Sequence, residues 1–253
     1  TALNNSIETF FPGNAIKVAK LLSGEKIKTP PLIGSLISSQ LDCDRLDYLL
    51  RDSYSTGAKI GQLDLDRILS ALTISPDGQL AINPKGLIAV EHYLVIRNLM
   101  YKSIYNHRLN EVCNWILIQI IQCARNLDPD LVWADKQFKK WIWDPNQIDI
   151  ETFLASDDIR LGYHLIRWSE DAPKCLRDLC KRIVNRDLLK ASDVGDLQSC
   201  HQLEALSIAN RLTDKLEKEY SFCCGLRHAK TRGYHPYIGG LRLWDGENLS
   251  SIE

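Results

Sequence analysis

Apolar side chains recur at intervals of three and four residues along most of the chain, a spacing that predicts amphipathic helices. The two longest stretches of this kind cover residues 86–107 and 109–127. Shorter stretches predict further helices at residues 14–24, 36–53, 64–72, 152–168, 173–184 and 199–219. The pattern therefore predicts a mainly α-helical fold.

A few short segments carry strand and turn signals instead. The turn sequence Ser75–Gly78 separates residues 71–74 from residues 80–83, which predicts a β-hairpin. Further short strands are predicted at residues 188–191, 220–224 and 241–244. With the helix among them, these C-terminal segments predict a small α+β part beside the helical body.

Composition narrows the range of function classes. The 253 residues carry 31 basic and 32 acidic side chains, a balance that gives no global attraction to nucleic acid or membrane. The eight cysteines lack the spacing of a disulfide framework or a zinc ribbon, and no apolar run approaches the roughly 18 residues of a membrane span. We therefore expect a cytoplasmic protein with reduced cysteines that does not bind membranes.

The most unusual segment of the chain is residues 42–52, which holds six charged side chains among eleven residues. On a helix, Asp44, Tyr48 and Asp52 fall within about 80° of one another. The acids are all Asp and the bases are all Arg, which are preferred ligands for divalent cations and phosphate respectively. The pattern fits a phosphate- or metal-handling site and equally a buried ion-pair network.

A second stripe lies on the predicted helix at 86–107, where Tyr93, Arg97, Tyr101 and Tyr105 recur every fourth residue. Periodicity alone favours an aromatic core seam with Arg97 paired to an acid. The alternative is a pocket in which tyrosine faces stack on a ligand and the guanidinium binds an anion.

Residues 36–53 (LISSQLDCDRLDYLLRDS) resemble the last metal-binding segment of HD-superfamily phosphohydrolases, and in particular of the bacterial dNTP triphosphohydrolase-like group. Similarity continues through residues 56–57 and 64–69 and resumes at residues 90–101 (VEHYLVIRNLMY) and 105–107. The resemblance implies an HD-type helical domain over residues 1–145. A helical and small α+β C-terminal region would follow over residues 146–253.

The resemblance also implies roles for single residues. Asp44 matches the family's last metal-ligating Asp and is therefore the expected catalytic and metal-binding residue. Seven further positions match residues that line the family's nucleotide pocket. They are Asp42, Arg45, Tyr48, Asp52, Arg97, Tyr101 and Tyr105.

Within that pocket, the family's residues divide between phosphate and sugar. Arg45 and Arg97 match cations that contact phosphate, while Tyr48 and Asp52 match residues that hold the sugar. The residue matching Tyr105 packs against the deoxyribose, where its bulk rejects a 2′-hydroxyl. Tyr101 matches a variable pocket position.

One part of the family pattern is missing. HD enzymes also bind their divalent ion (Mg, Mn, Fe, Ni or Zn) through an upstream His and a His-Asp pair, yet none of the six histidines here is followed by Asp. We therefore expect a C-terminal fragment, with a missing N-terminal segment or a partner chain supplying those ligands. On its own, this fragment is expected to be inactive.

The resulting hypothesis is a metal-dependent hydrolase that converts a dNTP to the deoxynucleoside and triphosphate, in a homo-oligomer as in its relatives. The alternatives are a non-catalytic or split HD subunit that binds a nucleotide or a partner chain, and an HD phosphodiesterase or nuclease. His107, at a predicted helix end, is expected to be a hydrogen-bonding residue and not a catalyst.

Overall fold

Helices make up most of the regular structure. The computed structural model describes residues 2–23, 31–192, 199–215, 222–223, 225 and 240–251. The helices are α1 (Ala2–Phe10), α2 (Ala15–Leu22), α3 (Pro31–Ile37), α4 (Cys43–Thr56), α5 (Leu65–Ala71), α6 (Leu87–Met100), α7 (Arg108–Arg125), α8 (Lys136–Trp143), α9 (Ile150–Leu154), α10 (Asp158–Asp171), α11 (Lys174–Val184) and α12 (Ser199–Lys215). The strands are β1 (Leu72–Ile74), β2 (Leu80–Ile82), β3 (Arg242–Trp244) and β4 (Leu249–Ser251).

The strands form one four-stranded sheet in the order β1-β2-β3-β4. The predicted hairpin is confirmed, because β1 and β2 pair antiparallel with Leu72 opposite Ile82. β3 lies parallel to β2 and antiparallel to β4. The fold class, mainly α with a small α+β part, is therefore confirmed.

The chain divides into two compact units. The first unit contains residues 1–105 and 231–253, and the second contains residues 106–230. The core of the first unit is built on α4, α5, α6 and the sheet, around residues such as Leu49, Ile68 and Tyr93. The core of the second unit includes Ile116, Trp168 and Leu176. The predicted division into domains at residue 145 stays a prediction.

The predicted helix at 36–53 is wrong in one respect, because the chain leaves the helical conformation between Ile37 and Cys43. Asp42 is extended, and its carboxylate accepts a hydrogen bond from the Arg45 backbone N–H at 2.8 Å, which caps α4. The same buried carboxylate accepts the Ser39 N–H and forms an ion pair with the Arg45 guanidinium. These bonds end one helix and start the next.

Three further predictions need correction. The helix predicted at 152–168 is interrupted, since Asp157 is extended and caps α10 through the Arg160 N–H at 2.8 Å. Residues 188–191 form no strand, and Leu188 and Leu189 pack against the core of the second unit. Within the predicted strand at 220–224, residues 222–223 are in a 3-10 turn, while residues 220, 221 and 224 lie outside the described part of the chain.

A fully buried histidine lies in the core of the second unit. The His164 ring stacks on Phe138 at 4.0 Å and on Trp133 at 5.0 Å between ring centroids. Its Nδ1 bonds the Arg160 carbonyl at 2.8 Å, and its Nε2 accepts the Asp135 N–H at 3.2 Å. Both ring nitrogens are thus satisfied by the neutral imidazole. Burial lowers the pKa of His164 below its usual value.

We predict that His164 makes the chain less stable in mild acid. The unfolded chain protonates this ring below about pH 6.5 while the folded chain resists protonation, so the free energy of unfolding falls as pH drops through that value. The Asp135 carboxylate and the guanidinium groups of Arg160 and Arg167 also face the ring; the carboxylate opposes the shift and the two guanidinium groups reinforce it. The loss is at most about 1.4 kcal/mol per pH unit.

Urea unfolding followed by tryptophan fluorescence between about pH 7.5 and about pH 5.5 measures this slope. His164→Gln should flatten it, whereas His92→Gln, on the exposed side of α6, should not. Equal slopes for the wild type and His164→Gln would contradict the prediction.

We also predict that Asp42→Ala strongly destabilises the first unit. The substitution removes the α4 cap and leaves the Arg45 guanidinium without its carboxylate, which together cost roughly 2–4 kcal/mol of unfolding free energy. Asp47→Ala breaks an exposed ion pair with Arg51 on the same helix and should cost less than about 0.5 kcal/mol. Urea unfolding followed by circular dichroism compares the two variants, and losses of equal size would count against the role of Asp42.

Candidate functional site

The two stripes predicted from the sequence lie on neighbouring helices of the first unit. Asp44, Tyr48 and Asp52 all fall within α4, one turn apart. Tyr93 and Arg97 are on α6, which continues without a break into a five-residue π-helix, Tyr101–Tyr105. A π-helix inside or beside an α-helix is rare and frequently marks a functional position.

Hydroxyl and carboxylate groups join the two helices. The Tyr105 hydroxyl donates to the Asp52 carboxylate at 2.7 Å, and the hydroxyl oxygens of Tyr48 and Tyr101 lie 3.2 Å apart in a hydrogen bond. The ring of Tyr105 meets the rings of Tyr48 and Tyr101 edge-on, at 5.9 and 5.0 Å between centroids. The structure thus brings together four of the predicted pocket residues.

Arg97 lies beside this aromatic group. Its guanidinium is 5.8 Å from the centre of the Tyr101 ring and donates to the side-chain oxygen of Gln40. The residue is 4% exposed, and its Nε has no hydrogen-bond partner. Among the described residues, no carboxylate forms an ion pair with it. The core-seam interpretation, with Arg97 paired to an acid, therefore lacks its acid within that part of the chain.

Arg45 is the second cation at this place. Its guanidinium binds the Asp42 carboxylate and the Ser39 carbonyl, while its Nε, like that of Arg97, is buried without a partner. Burial raises the pKa values of Tyr48 and Tyr93, and the nearby Arg45 charge partly opposes that rise. Asp42 and Arg45 are therefore joined to the same group of residues.

Burial keeps the tyrosine hydroxyls protonated. Burial raises the pKa of Tyr93 to about 12, and it raises the pKa of Tyr48 further, helped by the Tyr101 hydrogen bond. For Tyr105, burial and then the hydrogen bond to Asp52 raise the pKa above its usual value. All three hydroxyls are neutral at physiological pH, and those of Tyr93 and Tyr105 already donate their single proton to Gln40 and Asp52. None of the three is suited to act as a base.

Sequence reasoning missed the residue that connects these helices. Gln40 accepts the Tyr93 hydroxyl on its backbone carbonyl at 2.6 Å and the Arg97 guanidinium on its side chain. Gln40 lies inside the segment that carries the resemblance, two residues before Asp42, and this position was the available signal. Tyr93 is buried, as the core-seam interpretation implies, but its hydrogen bond to Gln40 was not predicted.

Asp44 has different surroundings from the pocket residues. It lies in the first turn of α4 and is exposed to solvent. Among the described residues, no group of three His, Cys, Asp or Glu side chains is placed to hold a metal ion. One exposed carboxylate does not meet the coordination that a catalytic divalent ion needs. The residues described here thus do not form a metal site by themselves.

His107 has a structural role, as expected. Its Nδ1 accepts the Leu109 backbone N–H at 3.3 Å and caps α7. The described helices include none that is long and apolar enough to cross a membrane.

Comparisons with known proteins extend this picture. A family described as "HD associated region" matches residues 63–128. An uncharacterized protein of Bacillus subtilis, YwfO, is 32% identical over 191 residues, which are 75% of this chain and 43% of that protein. An uncharacterized protein of Methanocaldococcus jannaschii, MJ1154, is 46% identical over 165 residues, or 63% of this chain and 30% of that protein. The chain spans less than half the length of these relatives.

Solved structures are similar over more of the chain. A phosphohydrolase from Bacteroides thetaiotaomicron superimposes with a TM-score of 0.70 at 27% identity, covering 87% of this chain and 57% of that one. A hypothetical protein from Aquifex aeolicus shares the fold, with a TM-score of 0.67 at 22% identity over 99% of this chain and 60% of that one. The HD-associated region and the phosphohydrolase likeness together support the relationship to the HD superfamily that residues 36–53 indicate.

Proposed function

We propose that this chain forms the substrate-binding part of an HD-type phosphohydrolase that converts deoxynucleoside triphosphates to deoxynucleoside and triphosphate. The observation that carries the proposal is the buried Arg97 guanidinium, whose described partners are neutral. A buried cation without a counter-charge is costly, so an anionic group of a ligand is the partner this position favours. Phosphate suits it, because a guanidinium forms paired, charge-assisted hydrogen bonds with phosphate oxygens.

Arg45 would support the same anion more weakly. Its charge is already balanced by Asp42, but its buried Nε leaves one donor for a phosphate oxygen. The two arginines thus define the phosphate end of the proposed pocket.

The tyrosines and Asp52 define the sugar end. Asp52 accepts one hydrogen bond from Tyr105, and a carboxylate can accept more, which leaves capacity for a sugar hydroxyl. Tyr48 and Tyr101 offer ring faces against which a sugar or base packs. Tyr105, held against Asp52, fills space beside the sugar and would exclude a 2′-hydroxyl. This arrangement supports a deoxynucleotide as the substrate.

Asp44 lies at the other end of the α4 stripe. Eight residues of helix separate it from Asp52 by about 12 Å along the axis. This separation would leave room for the deoxyribose and its α-phosphate between Asp52 and a metal ion bound by Asp44, and the bond to the triphosphate would break at that phosphate. The remaining ligands, a His and a His-Asp pair in the family, would come from a segment or partner chain beyond the described residues. A homo-oligomer is part of the same proposal.

The first prediction of this proposal concerns nucleotide affinity. Arg97→Gln removes the charge that would face the phosphates and should weaken dNTP binding by roughly 10- to 100-fold. This range corresponds to the free energy of one charge-assisted hydrogen bond. Arg97→Lys should recover part of the affinity, since it keeps the charge but not the planar fork. Isothermal titration with each of the four dNTPs measures the effect.

Arg51→Gln is the matched control for this measurement. Arg51 is exposed on α4 and pairs with Asp47, so the same chemical change there should leave affinity unaltered. Circular dichroism shows whether each variant is folded. Wild-type affinity in folded Arg97→Gln would remove the phosphate role of Arg97 and with it the main support for the proposal.

A second candidate function is nucleotide binding without hydrolysis. It is favoured by one observation, that the described residues hold no three-residue group able to bind a metal ion. This candidate shares the pocket and differs only in the absence of turnover.

The second prediction separates these functions through catalysis. The protein produced from its complete coding sequence should release triphosphate from a dNTP with Mg²⁺ or Mn²⁺, and Asp44→Ala should lower the rate at least about 100-fold through loss of a metal ligand. Asp47→Ala, the same substitution one turn along the exposed side of α4, should retain activity.

Assays of other substrates under the same conditions distinguish the alternative functions. Binding of dNTPs without release of triphosphate would support the non-catalytic subunit. Cleavage of short oligonucleotides or cyclic dinucleotides in preference to dNTPs would support a nuclease or phosphodiesterase. Full activity in Asp44→Ala would remove the HD mechanism altogether.

A further inference from the structure

Two cysteines of the second unit lie in direct contact. Cys123 is near the end of α7 and is buried, and Cys175 is in the first turn of α11 and is partly exposed. Their sulfur atoms are 2.9 Å apart, although the residues are separated by 52 positions in the sequence. A disulfide bond is about 2.0 Å long, so the two sulfurs are about 0.9 Å from bonding distance.

The packing around the pair holds the two sulfurs together. Cys123 belongs to the core of the second unit, and Cys175 packs against that core. The next residue, Leu176, is fully buried and anchors the first turn of α11. The contact therefore follows from the way α7 and α11 pack and does not depend on a loop.

Two other cysteines surround Cys175. Burial raises the pKa values of Cys180 and Cys223, and the nearby Cys175 sulfur adds to the rise of each. Cys180 is fully buried, and Cys223 lies beside the Arg182 side chain. Among the described residues, no group of three such side chains is arranged to bind a metal ion.

We propose that Cys123 and Cys175 form a thiol pair that a hydroperoxide oxidises to an internal disulfide, which links α7 to α11 and is opened again by thiols. The proposal rests on the 2.9 Å contact and on the difference in exposure between the two residues. It is independent of the proposed hydrolase function, since both residues belong to the second unit and the candidate nucleotide site belongs to the first.

The chemistry proceeds in two balanced steps. The more exposed Cys175 sulfur attacks hydrogen peroxide, the O–O bond breaks, and the products are the Cys175 sulfenic acid and one water. The Cys123 sulfur then attacks the sulfenic sulfur, forming the S–S bond and releasing a second water. Two thiols lose two protons and two electrons in total, and one peroxide is reduced to two waters.

The surroundings of the Cys123 thiol determine the rate of the second step. Its hydrogen bond with Cys175 and its burial raise the pKa of Cys123, so closure should be slow at neutral pH and faster as pH rises. We therefore expect a slowly responding pair that is reduced in a thiol-rich cell and closes under sustained oxidation.

The experiment treats the folded chain with hydrogen peroxide, blocks the remaining thiols with an alkylating agent, and maps disulfides by mass spectrometry of a non-reduced digest. We expect a crosslinked peptide joining Cys123 to Cys175, lighter than its two thiol halves by two hydrogens and lost after dithiothreitol. The same oxidation should raise the apparent Tm by roughly 5 °C or more, because the crosslink closes a long loop.

Two variants keep the test specific. Cys123→Ala removes one partner and should abolish both the crosslinked peptide and the Tm rise, whereas Cys113→Ala, the same change elsewhere on α7, should leave both intact. A crosslink from Cys175 to Cys180 or Cys223, or full alkylation of Cys123 and Cys175 after oxidation of the folded wild type, would overturn the proposal.

Discussion

A single glutamine in the turn between α3 and α4 determines how the candidate site is assembled. The Gln40 carbonyl accepts the Tyr93 hydroxyl, and the Gln40 side chain accepts the Arg97 guanidinium. Tyr93 and Arg97 lie one turn apart on α6, so both contacts hold the same short turn against the same helix face. Asp42, two residues later, starts α4. The position of the α4 stripe beside the α6 stripe therefore depends on this junction.

The helical periodicity was sufficient to predict most elements but not their interruptions. α5, α7 and α11 were predicted within a few residues, as was α6 together with the π-helix that follows it. The β1–β2 hairpin was also predicted. The failures at Asp42 and Asp157 have one cause, since each is an extended Asp whose carboxylate caps the next helix. The spacing of the apolar residues continues across both breaks. An Asp inside such a pattern is compatible both with a position within a helix and with an N-cap that starts a new helix. The hydrogen bonds that form in the folded chain determine which of these two positions the Asp takes.

The candidate site was predictable in part for a similar reason. Periodicity placed Tyr48 and Asp52 on one helix face and Tyr101 and Tyr105 on another. It could not show that the two faces meet, which is a tertiary property; the family resemblance supplied that expectation. The hydrogen bonds Tyr48–Tyr101 and Tyr105–Asp52 join those faces. Gln40 was missed because its two contacts reach residues more than 50 positions away in the sequence.

The charged residues at the two ends of the candidate site differ in how far they are buried. At the buried part, the Arg97 guanidinium lies beside the Tyr101 ring, and under the proposed function it would recognise an anionic group of the ligand. At the helix start, Asp44 is exposed and able to meet ligands from another segment. Desolvated donors keep their geometry without a ligand, whereas a metal ion needs several carboxylate or imidazole groups at once. Under the proposed function, recognition would be largely preformed in these residues, and catalysis would depend on the further metal ligands that reach Asp44.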